Sequence, residues 1–235
     1  MSDFLLIHGT GHGAWCWRDL IEALEALGHT ARAIDLPCHG DDQTPLGDAT
    51  LDSYADAILA AIDTPVILVG HSMGGFPITQ AAVREPAKVR HLVYLCAYVP
   101  GPGKSLVEMR RAWPEQPLAD AFEMSADQTA FAFKDDLLEG KLYQDCPEAV
   151  AYARANLCWE PARPSRTPVS GQPSSPATYI RCTRDQAIPP AYQAEMAKGC
   201  TARIDIDTGH SPFFANPAGL AQRLDQIAKT ARALK

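Results

Sequence analysis

Ser72 lies between glycines in the run Gly70-His71-Ser72-Met73-Gly74-Gly75, directly after four apolar residues, 66–69. This spacing suits a serine on a sharp strand-to-helix corner, because glycine lets the flanking backbones come close. The corner lifts the hydroxyl out of the sheet and aims the unpaired N–H groups of the next helix at the same place. A serine hydroxyl attacks a carbonyl at neutral pH only if a base takes its proton. Histidine suits that role, and a carboxylate on its other nitrogen fixes the tautomer and stabilises the imidazolium. Where a serine uses such a corner, acid and histidine follow it in that order, on loops beyond the carboxyl ends of strands. Asp185, after the strand-like run 177–182, and His210, after the run 202–206, occur in that order.

Seven histidines compete for the role of base. His29 and His91 open strands at the far end of the sheet from Ser72. His39 follows the second strand and is a candidate to line the cleft. His8 and His12 flank a glycine-rich loop, where holding the loop is the better reading. His71 rides on the corner itself and faces Ser72 from the wrong side. His210 alone comes from a late loop in the required order. Asp207 is the rival acid, but it shares that loop with His210, a poor place from which to orient it. The oxyanion that forms on attack needs preorganised N–H donors. The corner's geometry assigns one to Met73, and the loop after the first strand assigns the other to Thr10, next to Gly9.

These groups need a sheet to carry them. Apolar runs at 3–8, 29–36, 66–70, 89–95, 177–182 and 202–206 read as six strands. Helical spacing of apolar residues at 14–27, 51–62, 76–84, 190–198 and 217–234 places helices between and after them. That alternation predicts an α/β fold: a mostly parallel six-stranded sheet with helices on both faces. Residues 1–100 and 176–235 form this core, and 101–175 read as an inserted helical cap without strands. Trp113, Phe122, Phe131, Tyr143 and Trp159 of the cap, with Gly9, His12 and Ser211 of the core loops, are the candidate lining of a pocket beneath it.

The chain of 235 residues carries a net charge of −7 and no basic run, which argues against nucleic acid as a partner. No apolar stretch approaches membrane-spanning length, and the start lacks a secretory pattern, so no membrane partner and a cytoplasmic location are expected. Seven scattered cysteines without a C-x-x-C pair fit reduced thiols. No metal-ligand spacing or nucleotide fingerprint is present. No metal and no cofactor are expected.

Five stretches together resemble the plant methylesterase and hydroxynitrile lyase family of α/β-hydrolases and its bacterial esterase relatives. They are residues 7–17 (Ile-His-Gly-Thr-Gly-His-Gly-Ala-Trp-Cys-Trp), 70–75, 142–146 (Leu-Tyr-Gln-Asp-Cys), 185–189 (Asp-Gln-Ala-Ile-Pro) and Gly209-His210. The resemblance implies an α/β-hydrolase fold, a Ser72–Asp185–His210 triad, an oxyanion hole from the Thr10 and Met73 amides, a pocket under the cap and commonly a homodimer. Lyase members place a threonine directly after the histidine of the first loop and a lysine directly after the catalytic histidine. This chain has Gly9 and Ser211 there, which points to the esterase branch. The expected activity is hydrolysis of small to medium, uncharged, largely apolar esters through an acyl-enzyme. The alternatives are hydroxynitrile lyase or related C–C cleavage, and a ligand-binding protein with residual turnover.

Overall fold

A computed structural model describes residues 1–233. Its main sheet holds Asp3–Ile7 (β1), Thr30–Ile34 (β2), Val66–His71 (β3), Val89–Leu95 (β4), Ala177–Cys182 (β8) and Ala202–Ile206 (β9). The order is β2-β1-β3-β4-β8-β9, and every pairing is parallel. The helices of the core are Arg18–Ala26 (α1), Leu51–Ala60 (α2), Gly75–Arg84 (α3), Pro190–Met196 (α8), Pro212–Ala215 (α9) and Pro217–Ala233 (α10). Residue 234, assigned to the last helix from its pattern, lies outside the described residues.

Both sheet faces are buried, which is why the strands read as continuous apolar runs. Side chains alternate along a strand, so neighbours enter opposite layers. Phe4, Leu6, Ile67 and Val69 pack with Leu20 and Leu24 of α1 and Leu220 and Leu224 of α10. Leu5, Ile7, Leu68 and Leu92 pack with Tyr54 and Ile58 of α2 and Ile78 of α3. This is the predicted architecture, a parallel six-stranded sheet with helices on both faces. No helix among the described residues is long and apolar enough to cross a membrane.

The segment between β4 and β8 departs from the expectation of helices alone. It holds the helices Leu106–Ala112 (α4), Leu138–Leu142 (α5), Val150–Asn156 (α6) and Ala162–Ser165 (α7). It also folds Phe122–Met124 (β5), Ala130–Phe133 (β6) and Glu160–Pro161 (β7) into a small antiparallel sheet. The hairpin is built on Asp127, whose Oδ1 accepts from Ser125 Oγ at 2.6 Å, Thr129 N at 3.1 Å and Thr129 Oγ1 at 2.8 Å. Strands of two to four residues are too short for a period of two to be read, and an aspartate rather than a glycine makes the turn.

β3 carries Ser72 to the corner. Ser72 has φ of +54°, the left-handed region that a side chain enters at a cost of about 1–3 kcal/mol. A single 3-10 turn, Ser72–Gly74, leads into α3. The corner is wedged between neighbouring backbones. A Cβ on Gly74 would lie 2.6 Å from the His8 carbonyl oxygen, and one on Gly75 would run into the Tyr98 carbonyl. Tyr98 N donates to the Ser72 carbonyl at 3.0 Å, which ties the loop after β4 to the corner. Gly75→Ala is therefore expected to destabilise the protein by about 3 kcal/mol, the upper range for overpacking against a backbone that cannot yield. A urea midpoint within error of the parent would overturn this packing account.

Candidate active site

Asp185 follows β8 and His210 follows β9, so the sheet brings both to the end where β3 delivers Ser72. Asp185 Oδ2 accepts from His210 Nδ1 at 2.8 Å and from Gln193 Nε2 at 2.8 Å. Its Oδ1 accepts from the N–H groups of Ala187 at 2.7 Å and Ile188 at 2.9 Å. With Nδ1 donating to the carboxylate, a neutral His210 keeps its lone pair on Nε2. His210, Ser72, Thr10 and Met73 all line one cavity of about 870 Å³, counting its mouth. Asp207 is elsewhere: it is exposed and takes Arg184 Nε and Thr183 Oγ1, each at 3.0 Å.

The His210 loop is held from two sides. His71 Nε2 donates to the His210 carbonyl at 2.8 Å, and Gly209 N donates to Asp145 Oδ2 at 2.6 Å. Asp145 belongs to the inserted segment. His71, Cys96 and His210 offer possible ligand atoms within 4.8 Å of one another. Two of the group's ring nitrogens are already engaged in hydrogen bonds, His210 Nδ1 with Asp185 and His71 Nε2 with the His210 carbonyl.

The glycine-rich loop after β1 is fixed by buried neutral histidines. His8 Nδ1 donates to the Gly9 carbonyl at 2.9 Å while its Nε2 accepts from Leu36 N at 3.1 Å. His12 Nδ1 donates to the Thr10 carbonyl at 2.8 Å, and its Nε2 accepts the Tyr143 hydroxyl at 2.7 Å. Burial lowers the His12 pKa to about 4 and pushes His8 and His71 well below their ordinary value. Held neutral, His8 and His12 each serve as one donor and one acceptor.

A further tie comes from Glu160 of β7, which is fully buried. Its carboxylate accepts from Gly11 N at 2.9 Å, His39 Nε2 at 3.0 Å and the Tyr54 hydroxyl at 3.1 Å. Burial by itself would lower the His39 pKa, but the charge and hydrogen bond of Glu160 outweigh it and hold it above 6.5. Burial, and then Glu160, raise the Tyr54 phenol far above its usual range. His39, read as a cleft residue, is instead this interior partner.

Of the residues expected to line the pocket, Phe122 and Phe131 do so. Six others stand outside the wall, for reasons of packing. Tyr143 is buried on His12, and His12 is turned to the loop carbonyl. Gly9 is pressed against the corner, where a Cβ would meet Ser72 Cβ at 2.9 Å. Ser211 is fully buried and its Oγ finds no partner. Trp113 stacks on Tyr192 with ring centroids 4.5 Å apart, beside a smaller cavity. Trp159 is exposed and borders a different groove. The wall adds Phe133, Leu118 and three arginines, Arg110, Arg111 and Arg166, that sequence reading passed over. The Arg110-Arg111 pair reads as the basic last turn of a helix, and nothing near Glu160 in sequence announces its partners.

Glu160→Gln tests the buried tie. His39 has a raised pKa in the folded state, so its pairing adds stability fully below about pH 6.5 and loses it as pH climbs through the raised value. The variant is expected to lose about 3 kcal/mol at pH 5.5, typical of stranding one member of a buried pair, and less at pH 9. Urea midpoints of parent and variant at the two pH values measure the difference. An equal loss at both, or none, would rule out the ionic tie.

The model of the alpha/beta hydrolase family matches residues 4–223. Norfluorocurarine synthase 1 of Strychnos nux-vomica is 32% identical over 96% of this chain and 94% of its own length. Methylesterase 2 of Arabidopsis thaliana is 31% identical over 96% and 95%. Among solved structures, a pyrethroid hydrolase from Sphingobium faniae JZ-2 superposes with a TM-score of 0.84 at 25% identity, covering 97% of each chain. The chain belongs to the α/β-hydrolase family, in its methylesterase-like branch.

Proposed function

We propose that the chain is a serine carboxylesterase acting through an acyl-enzyme. The observation that carries this reading is the hydrogen bond from His210 Nδ1 to the buried Asp185 carboxylate, in a residue that shares its cavity wall with Ser72. Ser72 Oγ attacks the ester carbonyl as His210 Nε2 takes its proton. Asp185 stabilises the imidazolium without itself taking a proton. The amides of Thr10 and Met73 meet the oxyanion, and the carbonyls of Gly9 and Thr10, already bonded to histidines, keep that loop's backbone fixed. Collapse of the intermediate breaks the bond to the alcohol, which leaves with the proton from His210. A water then attacks the acyl-enzyme with His210 as base, releasing the acid and restoring Ser72.

The aromatic part of the wall (Phe122, Phe131, Phe133) suits the hydrocarbon body of the ester. Methylesterase relatives and solved esterases support the reaction class. Ser72→Ala is expected to lower kcat for p-nitrophenyl butyrate by about 10⁴-fold or more and to abolish labelling by a fluorophosphonate probe. Turnover and labelling equal to the parent would exclude the mechanism.

A further inference from the structure

The cavity wall is chemically divided. Thr10, Ser72, Met73 and His210 come from the core loops, whereas Arg110, Arg111 and Arg166 come from the segment between β4 and β8. No aspartate or glutamate among the described residues lines the cavity. Among the described residues none of the three guanidinium groups makes an ion pair. Elsewhere Arg84, Arg154, Arg181 and Arg184 each sit on an aspartate. Arg90, Arg163 and Arg223 are in no ion pair among the described residues either, so it is the convergence of three on one cavity wall that stands out. Glu115 borders a smaller cavity beside Arg110 but does not pair with it.

Arg110 is the inner member. It is half-buried on α4, its guanidinium lies 5.4 Å from the Phe122 ring, and its Nε is buried without a hydrogen-bond partner. Its helix is pinned by a capping box in which Ser105 and Glu108 bond each other's backbone. A buried guanidinium donor with nothing to donate to is costly unless a ligand supplies the acceptor. Arg111 and Arg166 stand exposed at the rim of the same cavity.

We propose that Arg110, Arg111 and Arg166 form an anion subsite, and that the substrate is an ester carrying a carboxylate remote from its scissile bond. The inference rests on the esterase reading for the scissile end. The carboxylate is held by guanidinium forks at the inserted segment while the ester carbonyl lies at the core loops, with the aromatic wall between taking the connecting hydrocarbon.

Matched substrate pairs decide it. The first pair, monomethyl suberate and methyl octanoate, differs by a carboxylate on the acyl side. The second, 6-acetoxyhexanoate and hexyl acetate, differs by one on the alcohol side. In at least one pair the charged ester is expected to have a kcat/KM about tenfold or more above the neutral one. That ratio should shrink at about 0.5 M salt. Arg110→Gln and the rim variant Arg166→Gln should each lower the ratio severalfold, with Arg110→Lys retaining part of it. Ratios at or below one in both pairs, or ratios untouched by salt and by the rim variant, would overturn the subsite. If no ester of either pair is turned over and the fluorophosphonate probe also leaves Ser72 unlabelled, the esterase reading fails instead. Calorimetry with suberate on Ser72→Ala then tests the subsite alone: saturable binding weakened by Arg166→Gln supports it, and no binding refutes it.

Discussion

Burying a carboxylate is tolerated only when its lone pairs are met, and the active end of this protein depends on how Asp185 is met. Four donors converge on it: two backbone N–H groups of its own loop, the amide of Gln193 and the ring of His210. Gln193 is fully buried on α8, and its oxygen in turn accepts from Cys182 N at the end of β8. The acid is thus anchored to the strand before it and the helix after it, and His210 inherits that position. A loop residue acquires the precision of a sheet residue through one saturated carboxylate.

The same economy of buried polar groups governs the loop after β1. Two neutral histidines, His8 and His12, and one carboxylate account for its orientation. The histidines spend one nitrogen on a loop carbonyl or a backbone N–H and the other on a partner further off. Glu160 closes the set from the inserted segment, reaching Gly11, His39 and Tyr54 together. The two halves of the cavity are therefore joined by charge-assisted hydrogen bonds as well as by apolar packing.

What was legible in the sequence follows from how local its cause is. The strands are legible because a sheet buried on both faces forces unbroken apolar runs such as Phe4-Leu5-Leu6-Ile7. The corner is legible because Gly74 and Gly75 are required by backbones only ångströms away. Asp185 and His210 are legible because parallel topology fixes which loops share an edge. The lining is not legible, since an aromatic in an inserted segment carries no mark of which way it faces. Phe131 turns to the cavity, Tyr143 turns to His12 and Trp159 turns to solvent. Glu160 is hidden for another reason: its partners lie 106 to 149 residues away in the chain. No periodicity spans such a distance.

Insertions between strands of a parallel sheet are commonly regarded as interchangeable modules that vary while the scaffold stays constant. The position of Glu160 limits that freedom here. A foreign insertion grafted between β4 and β8 would leave Gly11 N–H, His39 and Tyr54 facing an interior without an acceptor unless it brought an anion to the same point. Exchange of this segment is constrained at its inner surface by the scaffold and free mainly along its outer one. Divergence among proteins built this way is expected to concentrate on the rim of the cavity rather than on its floor.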